Sequence, residues 1–338
     1  MLFMANANDR KGAIKKLKLL IYNSKSNVNN FREKLDNAYK TVFLPNNVEL
    51  SEYKYGNITC DVLAPEIYSS NRIMIYIHGG CFTGGSRIAW RSFCSSLATK
   101  CYCRVIVPEY RLAPASPYPA AIEDVQNVFR AVFTEEQVSA SLNVTNKGER
   151  PPLPEIVIGA DGSGASIACA LIFNLREKYR NCIKHLVFFS PWLDVSENSR
   201  IITSKKMSDE IMSADILRKS TSDYTFASNT NIPFVSPLVA EDELLTAFPP
   251  TYIQMGEKEI LLPDAKKFAE RLISLHNKCE LDVWPNMMFM FQMADEYLHE
   301  SHLALDKVGA VITEDDAGKE AIEIENKPKL EQSLHSEA

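Results

Sequence analysis

Glu155-Ile-Val-Ile-Gly-Ala-Asp-Gly-Ser-Gly-Ala-Ser-Ile-Ala-Cys-Ala-Leu-Ile-Phe-Asn174 reads as a strand, a tight turn and a helix in immediate succession. The first four residues form an apolar, strand-like run, and the stretch from Ser163 onward is a helical, mostly apolar one. Gly159, Gly162 and Gly164 fall at the join, where the backbone must turn sharply or approach another segment closely. Glycine is scarce, 13 in 338 residues, so its placement carries information. Seven of the 13 lie here or in a second window, Gly79, Gly80, Gly84 and Gly85. That window also follows a strand-like run, Arg72-Ile-Met-Ile-Tyr-Ile-His78. Strand–turn–helix is the setting in which nucleophile elbows occur.

The same alternation extends along the chain. Further strands are expected at Arg104 to Tyr110, His185 to Ser190, Pro250 to Gly256 and Glu280 to Trp284, separated by helical patterns such as AAIEDVQNVFRAVF and DAKKFAERLISLH. Alternating strands and helices predict an α/β class: a mostly parallel central sheet covered by helices on both faces. Residues 1–40 read as an N-terminal helical cap segment, 41–310 as the main domain, and 311–338 as an acidic, disordered tail. Residues 135–154, ending GERPPLP, read as a surface loop. Residues 196–235 are polar, helical in patches and without strand signals, which suits a small helical lid. No internal repeat is present.

Net charge is −6, from 37 basic and 43 acidic residues. The tail holds eight acids and three lysines, so −5 of the −6 sits there and the body is nearly neutral. A nucleic-acid footprint is therefore not expected. No run of 18 apolar residues exists, so no transmembrane segment is expected, and the N-terminus, with lysines mixed into its apolar stretch, does not read as a signal peptide. The eight cysteines form no CxxC pair; Cys101 and Cys103 have strand spacing, and Cys169 lies in the apolar helix. Reduced thiols in a cytoplasmic protein are the expectation. Lys15-Lys16-Leu-Lys18 is a short basic stretch, too small to argue for a lipid surface.

Several segments together resemble one family. His78-Gly79-Gly80-Cys81-Phe82 followed by Gly85-Ser86 is similar to the HGGGF…GS oxyanion segment of the hormone-sensitive-lipase-like esterases, which have the α/β-hydrolase fold. Tyr110-Arg-Leu-Ala-Pro114 with Pro117-Tyr-Pro-Ala-Ala121 resembles the YRLAPExPFPAA segment of those enzymes. Ser190-Pro-Trp-Leu-Asp194 and Ser236-Pro-Leu238 resemble two further landmarks, and the likeness runs from about residue 40 to about residue 300. It implies acyl transfer from an ester: an elbow serine attacks, a histidine carries its proton, an acid orients the histidine, and backbone N–H groups hold the oxyanion. It implies no cofactor and no metal, and it makes a homodimer through the sheet edge a candidate assembly.

Within that frame the residues that do the chemistry are missing. The family elbow reads GDSAGG; here Ala160-Asp-Gly-Ser-Gly-Ala165, anchored without gaps on both sides, puts Gly162 at the nucleophile position. Ser163 falls one residue late, where its hydroxyl points elsewhere. A pattern like GSDEVLLDD becomes Gly256-Glu-Lys-Glu-Ile-Leu-Leu-Pro-Asp264, with Lys258 at the acid position and Glu257 and Glu259 beside it. A pattern like WPxMPHVFQ becomes Trp284-Pro-Asn-Met-Met-Phe-Met-Phe-Gln292, with Phe289 where the histidine belongs. Ala115 replaces a family glutamate. A triad stripped of a member retains only about 10³–10⁴ over water.

The expectation is therefore a pseudohydrolase of the carboxylesterase and lipase type, with no catalytic residue in place. Gly79, Gly80, Cys81 and Ser163 are left to shape an oxyanion or ligand site. Gly162 and Phe289 make that cavity more apolar or roomier, which suits a small acyl, ester or lactone-like ligand bound without turnover. One alternative is an active short-chain esterase with a rebuilt triad, using Ser163, an acid from Glu257 or Glu259, and an unidentified base. Another is a non-catalytic partner of an active paralogue. His78 reads as a structural histidine bonded to nearby backbone, Cys81 as no nucleophile for want of a histidine, and His299 and His302 as a solvated helix face. Lys258 is expected to pair with Glu257, Glu259 or Asp161.

Overall fold

In the computed structural model, which describes residues 7–22, 27–40, 44, 45, 47–69, 72–142, 153–196, 198–204 and 207–314, the opening stretch is β5 (Glu155–Asp161) followed directly by α5 (Ser163–Asn174). β5 is apolar on both faces because both are covered, as parallel strands require; Ile156, Val157, Ile158 and Ala160 are fully buried. It lies inside a sheet that, among the described residues, has eight strands. The others are β1 (Val48–Tyr55), β2 (Ile58–Pro65), β3 (Arg72–Ile77), β4 (Arg104–Pro108), β6 (Ile183–Phe189), β7 (Thr251–Gly256) and β8 (Cys279–Trp284). Their order is β1-β2-β4-β3-β5-β6-β7-β8. From β4 through β8 the neighbours run parallel, while β2 is antiparallel to both β1 and β4.

The helices are α1 (Ala7–Leu17), α2 (Val28–Tyr39), α3 (Arg87–Lys100), α4 (Ala120–Leu142), α5, α6 (Glu177–Arg180), α7 (Arg200–Thr203), α8 (Ala214–Tyr224), α9 (Asp242–Leu245), α10 (Leu262–Ser274) and α11 (His299–Thr313). α5 is buried along almost its whole circumference, which accounts for its lack of a polar face. α10 shows the ordinary pattern, burying Ala265, Phe268, Ala269 and Leu272 at helical spacing. α3 starts at Ser86, whose Oγ accepts from Ala89 N at 3.1 Å. None of the helices among the described residues is long and apolar enough to cross a membrane.

Six predicted strands occur within a few residues of their expected limits. The β1–β2 hairpin was not expected. Its turn is Gly56-Asn57, with Gly56 at φ 62° and Tyr55 paired to Ile58. A two-residue Gly-Asn loop between strand-like runs is a hairpin signal, but β1 (VELSEYKY) is so exposed that its apolar alternation is faint. The expected loop at 135–154 begins later, because α4 continues to Leu142; residues 143–152 lie outside the described residues. Cys101 and Cys103 are not strand residues but flank Tyr102 in the turn between α3 and β4. α11 runs past residue 310 to Thr313, and the rest of the expected tail, from 315, lies outside the described residues.

Two helical segments cover the end of the sheet where the parallel strands leave off. From the N-terminus, α2 lies against α3, and Arg32 donates to the carbonyl oxygens of Thr83 (2.9 Å) and Ala113 (2.8 Å). That clamps the glycine segment after β3 from outside. Ser86 Oγ also donates to Asp36 of α2. From the 196–235 region, α7 and α8 fold over, and Phe82 stacks on Tyr224 of α8 with centroids 3.8 Å apart and planes 7° from parallel.

Candidate functional site

Gly162 holds the turn between β5 and α5 at φ 46°, ψ −121°. Its N–H donates to Phe189 O (3.1 Å) and its carbonyl accepts from Trp192 N (2.9 Å), so the sharp bend is fixed from β6 and the loop after it. The approach of α5 to β3 explains Gly164: a Cβ there would lie 2.1 Å from Ile77 O. Facing Gly162 is Phe289, whose Cζ lies 3.3 Å from the place a Cβ on Gly162 would occupy. Residues 162 and 289, distant in sequence, are thus brought into contact with nothing between them.

The glycine segment forms the adjoining wall. Gly79 donates its N–H to Asp161 Oδ1 (2.9 Å), which also accepts from Tyr76 Oη (2.9 Å) and Trp90 Nε1 (2.8 Å). A Cβ on Gly79 would collide with that carboxylate at 2.2 Å. Gly79 was expected among the residues of an oxyanion or ligand site; its N–H is instead spent on Asp161, and it acts by docking the segment onto the elbow. Burial pushes the Asp161 carboxyl up to about 7, against the pull of its three donors.

Gly80 and Cys81 follow with φ of 113° and 57°. Among the described residues, none accepts a hydrogen bond from the N–H groups of Gly80, Cys81 or Ser163. All three residues, with Gly162 and Phe289, line one small cavity of ≈10 Å³. That is about the room of a single water. Ile21 from the N-terminal segment, Trp192, Met212 from the 196–235 region and Leu261 complete the lining. The cavity is apolar as expected, but it is not roomier: the ring of Phe289 occupies the space that a smaller residue would have left.

Ser163 is buried, and its Oγ accepts from Phe82 N at 3.0 Å. His78 is buried as well. Its Nδ1 lies 2.8 Å from Gly79 O, and the ring stacks on Tyr110 at 4.4 Å. Burial lowers its pKa to about 4, so it is neutral, and its backbone bonding matches the structural role expected of it. Burial raises the Cys81 thiol to about 11, which leaves it without thiolate character. His299 and His302 lie on an exposed face of α11.

Lys258 is not part of this constellation. It sits exposed in the loop after β7, its N–H donating to Met287 O (3.1 Å). The three carboxylates expected to pair with it are engaged elsewhere. Glu257 accepts from Asn286 N (2.9 Å), Asp161 is at the elbow, and Glu259 turns inward. Glu259 accepts from Ser190 Oγ (2.9 Å) and from Gly256 N, and Ser190 Oγ in turn accepts from Met290 N (3.0 Å). Burial raises the Glu259 carboxyl to about 8.

Trp192 lies within the Ser190–Asp194 landmark and could have been found from it. Ile21 and Met212 come from segments without any motif, and only the folded chain brings them to the site. No cluster of three or more His, Cys, Asp or Glu side chains suited to a metal ion occurs among the described residues.

A family described as alpha/beta hydrolase fold matches residues 74–293. An esterase of Acinetobacter venetianus is 30% identical over 246 residues, 72% of this chain and 76% of the relative. An acetyl-hydrolase of Streptomyces hygroscopicus is 25% identical over 257 residues, 76% of this chain and 80% of that one. Among solved structures, an esterase from the bacterial hormone-sensitive lipase family superposes with a TM-score of 0.78 at 23% identity, covering 92% of this chain and 99% of that chain.

Proposed function

This chain belongs to the alpha/beta hydrolase fold family, and we propose that within it the protein is a catalytically silent member, a pseudohydrolase whose site is closed by its own side chains. One observation carries the reading: Gly162 occupies the elbow with nothing to attack with, and the residue turned toward it is Phe289, 3.3 Å from a Cβ that is not there. Ester hydrolysis by the elbow route needs a nucleophile and a base in hydrogen-bond reach of each other. A glycine and a phenylalanine supply neither. Ser163 does not take over, because its hydroxyl is held by Phe82 N and the buried histidine of the segment, His78, is spent on Gly79 O and Tyr110.

An activated-serine probe tests this. After incubation with a fluorophosphonate, the intact mass of the chain stays unchanged. An added phosphonyl mass localised to Ser163 would replace this reading with the rebuilt-triad esterase.

A second reading rests on a separate observation. Gly80, Cys81 and Ser163 line the cavity, and among the described residues their N–H groups have no protein acceptor; donors of this kind call for an oxygen. A short acyl, ester or lactone-like molecule, its carbonyl oxygen on those donors, would meet that need if Phe289 and Met212 moved aside. Saturable thermal stabilisation by such compounds supports it; a flat response across a panel removes it. The eight free thiols, seven of them buried, support placement in the reducing cytoplasm.

A further inference from the structure

We infer that Glu259, next in sequence to the exposed Lys258, is the positioning residue that latches the walls of the elbow cavity, and that the latch opens when its proton is lost. The inference rests on the closed site described above. Two chains of contacts lead from the Glu259 loop to the cavity. In the first, Glu259 Oε1 accepts from Ser190 Oγ, and Ser190 Oγ accepts from Met290 N, the residue next to Phe289. Both ends of that link are left-handed, Ser190 at φ 47° and Met290 at φ 54°, so each depends on its surroundings to stay there. In the second, Ile260 N donates to Asp209 Oδ2 (2.8 Å), while Asp209 Oδ1 accepts from Ile211 N and Met212 N, both at 2.7 Å. The first chain thus holds Met290, the neighbour of the wall residue Phe289, and the second holds the wall residue Met212.

Glu259 is 5% exposed, and among the described residues its Oε2 has no hydrogen-bond partner. The charged group facing it is Asp209, from the 196–235 region. The turn after β6 contributes the neutral Ser190, and the segment from Met287 to Met293 contributes methionines, phenylalanines and Gln292. Lys258 and Glu257, on its own loop, are exposed to solvent. Among the described residues no cation faces Glu259; Gly256 N and Ser190 Oγ favour its charge as donors, while burial, the larger effect, and Asp209 oppose it. Burial accordingly keeps the acid protonated up to about pH 8. Once ionised, the buried carboxylate favours any opening that exposes it to water, and the segment tied to it through Ser190 is the one expected to loosen.

Hydrogen exchange of the 287–293 peptide tests the latch between pH 6 and 9.5, with rates corrected for the intrinsic pH dependence of exchange. The wild type is expected to show flat corrected rates to about pH 8 and a several-fold rise above it. Glu259→Gln keeps the Oε1 acceptor and removes the titration, so its corrected rates stay low and flat. Ser190→Ala loses the Met290 acceptor and exchanges up to about tenfold faster at every pH. A wild type without the rise, a Glu259→Gln protein with the same rise, or a Ser190→Ala protein that exchanges like wild type at pH 6 would each overturn the inference. None of these outcomes depends on hydrolysis, so the latch and the catalytic silence fail separately.

Discussion

At position 162 the backbone adopts φ 46°, ψ −121°, a conformation that an L side chain enters only under strain. In an enzyme that strain carries a nucleophile; here a glycine relieves it, and the ring of Phe289 fills the space. The consequence is measurable. Gly162→Ala is expected to lower stability by about 1–3 kcal/mol, from backbone strain together with the 3.3 Å approach of the new methyl to Phe289. Urea unfolding reads the loss, and part of it should disappear in a Phe289→Ala background, where the ring no longer meets the methyl. A neutral or stabilising Gly162→Ala would mean that the elbow is more relaxed than these angles indicate. The position of Gly162 in its frame was legible from flanking residues alone, because EIVI and IACAL admit no gap. That Phe289 points at it was not, since sequence gives an aligned position and no direction for a ring.

Among the elements, the strand ends carry the unusual protonation chemistry. Asp161 closes β5 with a carboxyl raised to about 7, and Glu259 follows β7 with one raised to about 8. A raised carboxyl contributes stability that is complete below its unfolded value, near 4, and is lost as pH rises through the folded one. His78, after β3, works in the opposite direction: its neutral form is favoured in the fold, so its contribution is lost as pH falls from about 6.5 toward about 4. Maximum stability is therefore expected on the acid side of neutrality, with a higher urea midpoint at about pH 6 than at pH 9. Glu259→Gln should shrink that difference; an undiminished difference would assign the effect to other groups. Most strands and the elbow helix were readable because parallel strands and a wholly buried helix leave continuous apolar runs. The β1–β2 hairpin was not, because five of the eight β1 residues face solvent and five consecutive polar or aromatic residues blur the alternation. The closing segments were readable only as helical or lid-like, since contact with the site is a tertiary property.

For the molecule as a whole, an ordinary α/β hydrolase scaffold surrounds a site shut by segments from the N-terminus, the 196–235 region and the chain between β8 and α11. The thiols report on its integrity. Seven of eight cysteines are buried and Cys279 is partly so, with burial pushing its thiol to about 12. Native protein should take up at most one iodoacetamide and denatured protein eight, counted by intact mass. Fewer than eight in the denatured chain without reductant would reveal disulfides. The central claim, that this fold is kept without its chemistry, is met most directly by p-nitrophenyl butyrate hydrolysis, wild type beside Ser163→Ala. The account predicts equal rates for the two, no higher than the residual acceleration of about 10³–10⁴ over water that binding and oxyanion donors alone provide. Steady turnover in the wild type that vanishes in Ser163→Ala would contradict it and make the protein an esterase.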